Sequence, residues 1–280
     1  MINLDNVSLK YKSEKDYTLK DISLTLEDNK IISIIGKNGT GKTSLVKLLS
    51  GIIQPTSGKI TLDNIDTSSK KEFISLRKKV SVVFQNPENQ IIFERVYEEL
   101  EFTLKNLKFE RKEIEENIDS ALKLVGMEDY KYKETSSLSL GQKQKIIIAE
   151  ALAINSDILI LDEPTAMLDP ISKKQILSLF KVLKEKGKTI IFVTHTLEEI
   201  FYSDICLVLN NGKTLEVLNT TDILKDINLI KKINIDNSNF MFNLLEKIYD
   251  KKNKSIDFSK YNNEENFSDF LLKEIINNIG

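Results

Sequence analysis

The chain has 280 residues, of which 41% are hydrophobic and 29% charged, and its formal net charge is −2. This profile predicts a soluble globular protein with either two domains or one large domain and an appendage. The near-neutral charge gives no basis for long-range attraction to nucleic acid or anionic lipid. The lone Cys206 excludes an internal disulfide, no signal peptide is apparent, and no apolar run approaches the ~20 residues that span a bilayer. We therefore expect a cytosolic protein that works at a membrane only through partners.

The first part of the chain is patterned as strands. Residues 3–11 and 19–28 alternate apolar and polar side chains, whereas 31–36 are apolar throughout, as in a strand buried on both faces. A glycine-rich turn follows, and then a segment with helical spacing that begins at Lys42. Further strands are predicted at 58–63 and 80–85.

The second part of the chain predicts a helical insertion and then more strands. From Glu94 to about Asn155 the sequence is charged and helical in pattern. Apolar strands are predicted at 157–162 and 189–194, on either side of a helix that should end at Gly187. Residues 204–217 predict a hairpin with an Asn-Gly turn. Strand–helix alternation of this kind indicates an α/β fold with a parallel sheet.

The segment GKNGTGKT, residues 36–43, fits the pattern G-x-x-x-x-G-K-[ST] between a buried strand and a helix. Its glycines let successive backbone N–H groups face one centre, and the helix amino terminus adds a partial positive charge. Lys42 is then placed to reach the β and γ phosphates, and the Thr43 hydroxyl to hold Mg²⁺. The order of the glycines excludes a dinucleotide fingerprint.

Three further polar side chains follow the two later apolar strands. Asp162 ends one strand, where its carboxylate should emerge at the ligand-binding edge of the sheet and suit Mg²⁺. Glu163 comes next and is placed to orient or deprotonate an attacking water. His195, the only histidine, ends the other strand at the same edge, where it can contact a γ phosphate or hold that water.

The stretch SLSLGQKQK, residues 137–145, differs by one residue from the phosphate-contacting sequence Leu-Ser-Gly-Gly-Gln. Leu140 stands in place of the first glycine of that sequence. The five residues alone do not distinguish a tolerated change from a lost function or a coincidence. The position of this stretch relative to the other motifs is needed to distinguish these three interpretations.

In this order, the motifs resemble those of the ATP-binding subunit of an ATP-binding cassette (ABC) transporter, over roughly residues 1–218. The resemblance identifies 36–43 as the Walker A loop and 137–145 as the signature motif. It also implies a fold with an antiparallel β subdomain, a helical subdomain at about 94–155 and a C-terminal helical extension at 219–280. ATP and Mg²⁺ are the implied ligands.

The resemblance also assigns individual roles. Tyr11 is similar to the aromatic residue that stacks on adenine, Gln85 to the Q-loop glutamine and Asp169 to the D-loop aspartate. Glu163, His195 and Lys42 are the implied catalytic residues. The implied ATP contacts are Tyr11, Gly36, Asn38, Gly39, Thr40, Gly41, Lys42, Thr43, Ser44, Gln85, Ser139, Gly141, Gln142 and Asp169, and the implied Mg²⁺ contacts are Thr43, Gln85 and Asp162.

Two segments, 84–93 and 96–107, narrow the resemblance to the ATPases of energy-coupling factor (ECF) transporters, which import vitamins and transition-metal ions. This implies a dimer with ATP between the Walker A loop of one subunit and the signature motif of the other. It also implies a membrane-embedded coupling subunit and a substrate-binding membrane subunit, at the cytoplasmic face of the cell membrane. No nucleic-acid partner is expected. The abundance of Ile, Lys and Asn suggests a bacterial source with a low-GC genome.

Residues 240–248 and 272–279 of the extension carry apolar stripes at helical spacing. Such stripes favour either packing on the chain's own domain or pairing of two subunits.

Two rival interpretations remain at this point: a soluble ABC ATPase that acts in translation or DNA repair, and a degenerate regulatory cassette. Proteins of the first kind usually carry two cassettes in one chain or a long coiled-coil insertion, and this sequence shows neither. The second interpretation is disfavoured because Lys42, Glu163 and His195 are retained. Leu140 adds a side chain, and a restricted φ, where the family mostly has glycine. We therefore expect a paralogue heterodimer rather than a homodimer, with the site completed by Leu140 the weaker one.

Overall fold

Within residues 1–210, 214–223 and 229, which the computed structural model describes, the chain forms two β-sheets. The larger sheet has six strands in the order β10, β9, β3, β8, β7, β6, and the smaller has four in the order β2, β1, β4, β5. The strands are β1 Ile2–Leu9, β2 Leu19–Leu26, β3 Ile31–Ile35, β4 Ser57–Leu62, β5 Ile65–Asp66, β6 Val80–Val83, β7 Ile158–Asp162, β8 Thr189–Val193, β9 Ile205–Asn210 and β10 Thr214–Asn219.

The larger sheet is parallel except at one edge. β6 pairs with β7, β7 with β8, β8 with β3 and β3 with β9, all in parallel, whereas β9 and β10 form the predicted antiparallel hairpin. The turn of that hairpin falls on 211–213, outside the described residues. Strands β3, β7 and β8 are buried along their whole length, which explains their unbroken apolar sequences. Their carboxyl ends therefore meet at one edge of the sheet.

The helices cover both faces of this sheet, and three of them form the predicted insertion between β6 and β7. The helix after β7 is capped by Asp169 and is followed by Gly187 at φ 85°, so it ends where the sequence predicted. The helices are α1 Lys42–Leu49, α2 Phe73–Lys79, α3 Val96–Asn106, α4 Arg111–Val125, α5 Leu140–Ala153, α6 Pro170–Glu185, α7 Leu197–Ile200 and α8 Thr220–Ile223.

Neighbouring residues of the central strands belong to two separate hydrophobic cores. Leu161 and Phe192 pack in the core that the sheet shares with α3, α4, α5 and α6. Ile160 and Val193 pack in the core that it shares with α1 and the smaller sheet. Because side chains alternate along a strand, the sheet separates these two layers.

The predicted extension at 219–280 lies outside the described residues except for 219–223 and 229, so its structure and the boundary at 218 stay predictions. Among the residues that are described, no helix is both long and apolar enough to pass through a membrane.

Candidate active site

The glycine-rich loop joins β3 to α1 at the carboxyl edge of the sheet. Gly39 and Gly41 have φ values of 78° and 101°, in the left-handed region that glycine enters without strain. A Cβ atom on Gly41 would also lie 3.0 Å from Leu19 Cδ2 and 3.2 Å from the Thr18 carbonyl oxygen. The loop therefore needs glycine for its conformation, and at Gly41 for space too. Its backbone N–H groups and the start of α1 form an anion-binding cradle.

Lys42 lies at the centre of this cradle and is 6% exposed. Its Nζ donates to the carbonyl oxygens of Gly36, at 2.8 Å, and Lys37, at 3.0 Å. Burial lowers the pKa of the Lys42 ammonium, while the carboxylates of Glu163 and Asp162 act in the opposite direction. The amine is thus held inside the loop, with acceptors that a phosphate can replace.

An open cleft of about 800 Å³ adjoins the loop. At one end the hydroxyl of Tyr11 shares a hydrogen bond with Ser44 Oγ at 3.1 Å. Most of the predicted site residues line this cleft: Tyr11, Asn38, Gly39, Gly41, Lys42, Thr43, Ser44, Gln85, Glu163 and His195. Gly36 and Thr40 belong to the same loop, where Thr40 Oγ1 donates to the Lys37 carbonyl oxygen.

Asp162 ends β7 directly beside the loop and is 3% exposed. Burial raises the pKa of its carboxyl, and a hydrogen bond with the Thr43 side chain opposes that effect. In the described part of the chain, no three His, Cys, Asp or Glu side chains gather as metal ligands. Mg²⁺ commonly takes only one or two carboxylates and completes its shell with phosphate and water oxygens. Asp162 and Thr43 fit that donor set.

Glu163 receives hydrogen bonds on both carboxylate oxygens. Gln85 Nε2 donates to Oε2 at 2.6 Å, and His195 Nε2 bonds to Oε1. The bond with His195 is the main cause that lowers the pKa of Glu163, and burial acts against it. Since the carboxylate is ionised, Nε2 of His195 carries the proton and donates. The backbone of Glu163 is left-handed, with φ 52°, at a cost of about 1–3 kcal/mol.

The signature residues form a second group at the start of α5. Ser139 caps the helix: its Oγ accepts from the Gln142 N–H, and Gln142 Oε1 accepts from the Ser139 N–H. Gln142 Nε2 also donates to the Tyr130 hydroxyl at 3.0 Å. Leu140 is the first helical residue, is 40% exposed and does not have a positive φ. Leucine therefore adopts this backbone conformation without strain, and the restricted φ that we expected to matter at Leu140 does not.

The D-loop lies against this second group. A Cβ atom on Gly141 would be 3.1 Å from the Met167 carbonyl oxygen. Asp169 Oδ1 accepts from the N–H groups of Ile171 and Ser172, both at 3.0 Å. Ser139, Gly141, Gln142 and Asp169 are therefore near one another but do not line the cleft. One chain holds two separate groups of predicted site residues.

Sequence reasoning missed several residues around the site. Glu14 and Thr18 line the cleft, and Thr18 Oγ1 donates to Glu14 Oε2 at 2.6 Å. Glu199 is 3% exposed, accepts from Thr165 Oγ1 at 2.6 Å and pairs with Lys173 at 2.7 Å, which braces the segment between Glu163 and Asp169. No pattern in the sequence marks these positions, because their roles depend on contacts between distant segments.

The buried parallel strand, the glycine loop, the lysine at the start of α1 and the carboxylate on the neighbouring strand define a P-loop nucleoside triphosphatase. The sequence model described as ABC transporter matches residues 19–166, more than half of the chain.

Known proteins extend this match over nearly the whole chain. The energy-coupling factor transporter ATP-binding protein EcfA1 of Fusobacterium nucleatum subsp. nucleatum is 38% identical over 265 residues, which cover 95% of this chain and 96% of that protein. EcfA1 of Caldanaerobacter subterraneus subsp. tengcongensis is 39% identical over 84% of this chain and 87% of that protein.

Solved structures agree with the sequence matches. CbiO1 from Clostridium perfringens, described as part of the ABC transporter complex cbiONQ, has a TM-score of 0.73 and 33% identity over 88% of this chain and 98% of that chain. The dimeric cassette MJ0796 bound to ADP and Pi has a TM-score of 0.73 and 30% identity over 79% of this chain and 99% of that chain. The chain belongs to the ABC transporter ATPases and, among them, to the energy-coupling factor transporter ATP-binding proteins. It is an ATP-binding enzyme that hydrolyses ATP to power a transporter, as its motifs predicted.

Proposed function

We propose that this chain is one of two ATPase subunits of an ECF-type importer of vitamins or transition-metal ions. Each ATP would lie between the Walker A loop of one subunit and the signature motif of the other. The observation that carries this proposal is the separation of the predicted phosphate contacts into the cleft at Lys42 and the start of α5 at Ser139. The γ phosphate can meet both groups only if a second subunit supplies one of them.

The start of α5 suits that role. Ser139 and Leu140 are exposed, and the first N–H groups of a helix favour an anion. The capping pair of Ser139 and Gln142 holds this end in place before any ligand arrives. A phosphate of the opposite subunit's ATP would therefore meet a preformed surface.

In the proposed reaction, a water held by Glu163 and His195 attacks the γ phosphorus in line. The proton of the water passes to the Glu163 carboxylate, the bond between the γ phosphorus and the bridging oxygen breaks, and ADP and phosphate leave. Lys42 and the loop amides stabilise the charge that develops on the phosphate oxygens. Because Gln85 and His195 already hold the Glu163 carboxylate, its orientation requires little further ordering.

Thr43, Gln85 and Asp162 are the residues that would hold Mg²⁺, which when bound would neutralise charge on the β and γ phosphates. The hydrogen bond between the Thr43 and Asp162 side chains places two of these donors together. Gln85 reaches the same region because its amide contacts Glu163.

The partners of this chain would be a second ATPase subunit, a membrane-embedded coupling subunit and a substrate-binding membrane subunit, at the cytoplasmic face of a bacterial membrane. The names of the ECF relatives and of the cbiONQ complex support this assignment. A paralogue is the favoured second ATPase, because a partner that has the usual glycine would confine Leu140 to one composite site, whereas two copies of this chain would place it in both. Residues 1–218 would form the nucleotide-binding domain, and 219–280 a helical extension that packs on it or pairs the subunits.

The test is purification of the affinity-tagged full-length chain from detergent-extracted membranes, with mass spectrometry of the subunits that accompany it. We expect two membrane proteins, one further ATPase, and ATP hydrolysis that depends on Mg²⁺. Recovery with ribosomes and without a membrane protein would overturn the transporter assignment in favour of a soluble ABC ATPase.

A further inference from the structure

A short segment connects the two groups of site residues within one chain. Gln85 contacts Glu163 in the cleft, and three residues later Glu88 Oε1 pairs with Lys143 Nζ at 2.9 Å. Lys143 lies in the first turn of α5, directly after Gln142. A path of direct contacts therefore runs from the carboxylate of Glu163 to the start of the signature helix.

Residues 84–91, the segment that carries both contacts, are held together by hydrogen bonds within the segment. Asn86 Oδ1 accepts from the Glu88 N–H at 2.9 Å, and the Pro87 carbonyl oxygen accepts from the N–H groups of Gln90 and Ile91 at 3.0 Å. Gln90 Oε1 in turn accepts from the Phe84 N–H at 2.8 Å. These bonds fix the turn that joins Gln85 to Glu88, so we expect a displacement of one residue to be passed to the other.

The turn at Pro87–Asn89 packs against α5, and among the described residues the pair of Glu88 with Lys143 is the one ion pair between them. The Lys143 side chain is 19% exposed and that of Glu88 58% exposed. Within the described part of the chain, neither of the two has another ion pair. The Lys143 N–H donates to the Ser139 carbonyl oxygen at 2.8 Å, so the lysine is fixed to the helix cap. Ion pairs with an exposed partner contribute little to stability, so this pair matters chiefly for position.

We propose that Glu88 and Lys143 are positioning residues that transmit the state of one ATP site to the other. Their ion pair makes the start of α5 follow the segment 84–91, and hence the Glu163 carboxylate. This rests on the proposed sandwich, in which α5 completes the ATP site of the opposite subunit. Occupation of a subunit's own site would then set the position of Ser139 and Gly141 in the second site.

The experiment is a double-mutant cycle in the purified full-length complex, with Glu88→Gln, Lys143→Gln and the two combined. We expect each single variant to lower the kcat of ATP hydrolysis by about 2- to 30-fold, the range for residues that carry coupling between sites. The KM for ATP should stay within about twofold, since neither residue lines the cleft. The combined variant should lose no more than the worse single variant, because both changes break one contact.

Thermal unfolding separates positioning from a structural role. The melting temperature of each variant should stay within about 2–4 °C of wild type. Lys188→Gln is the matched control: its side chain is also 19% exposed and pairs with the exposed Asp157, but it lies at the opposite edge of the sheet. Its kcat should equal that of wild type.

Wild-type kcat in both single variants, or losses that multiply in the combined variant, would overturn the proposed link. So would a loss of kcat that appears only together with a fall in melting temperature. Glu163→Gln in the same complex distinguishes failure of the proposed ATP site from failure of the proposed link between Glu88 and Lys143. If that variant still hydrolyses ATP at the wild-type rate, the proposed ATP site fails, whereas an inactive Glu163→Gln beside fully active Glu88→Gln and Lys143→Gln rejects the link alone.

Discussion

The Nε2 atom of His195 hydrogen-bonds Oε1 of Glu163 at the carboxyl edge of the sheet, just beyond the ends of β8 and β7. This bond is the largest cause of the lowered pKa of Glu163. A carboxyl with a lowered pKa stays ionised, and so competent as a base, to a lower pH than an ordinary glutamate.

His195→Ala should shift the acid limb of the pH–rate profile for ATP hydrolysis to higher pH. Without the hydrogen bond, the pKa of Glu163 rises toward its ordinary value of 4.5, because burial raises it and only the Lys42 charge and the Gln85 hydrogen bond remain to lower it. Single-turnover rates measured across acid pH check this. His195→Gln, which keeps a side-chain N–H donor, should retain more of the wild-type profile than His195→Ala. Identical acid limbs in all three proteins would rule out control of Glu163 by His195.

Glu163→Gln should lower turnover by about 10²- to 10⁴-fold, the usual contribution of a general base, while ATP stays bound. Phosphate release and retained nucleotide are the two measurements. Asp157→Asn is the matched control, because Asp157 precedes the same strand at its other end and its side chain is 70% exposed. Glu163 is not the base if its amide variant turns over at the wild-type rate.

Leu140→Gly should raise turnover of the intact complex by roughly two- to tenfold, equivalent to about 0.4–1.4 kcal/mol of transition-state stabilisation. The expected reason is the bulk of an exposed side chain at the composite site, since the φ of Leu140 needs no glycine. Leu140→Ala should therefore act in the same direction and with less risk to the helix. An unchanged rate in both variants would show that Leu140 does not weaken the site.

Gly141→Ala should reduce turnover by displacing the D-loop from the start of α5. The added Cβ atom would lie 3.1 Å from the Met167 carbonyl oxygen, so that backbone must shift by a few tenths of an ångström, while the higher helix propensity of alanine offsets the effect on stability. Thermal melts and ATP hydrolysis are the measurements. Gly126→Ala is the comparison: Gly126 has φ 68° and open space around it, so that variant should lose stability through strain and keep its turnover.

Cys206 should resist thiol reagents in the folded protein. Its side chain is fully buried, and burial raises the pKa of the thiol to about 12, so little thiolate is present at neutral pH. Reaction with an aromatic disulfide should be slow in buffer and complete in guanidinium chloride. Fast labelling under native conditions would mean that β9 opens readily.

The sequence was sufficient to predict the features that depend on residues close together in the chain. The glycine loop, the apolar strands and the acids at their ends follow from neighbouring residues, and all lie where they were predicted. Helix α2 was not predicted because it is short and exposes Phe73 and Ile74, so it has no clear apolar face. Contacts between distant segments could not be predicted from the sequence either. Gln85 and Glu163 are 78 residues apart, and their hydrogen bond depends on the pairing of β6 with β7.

The separation of the hydrophobic interior into two layers has a consequence for substitutions in the central strands. Ile160 and Leu161 are chain neighbours, yet they pack against different halves of the molecule. A change of side-chain size at Ile160 must therefore be accommodated by residues near α1 and the smaller sheet, and a change at Leu161 by residues near α3 to α6. Because Asp162 and Glu163 follow both, the position of these two acids depends on the packing of both layers.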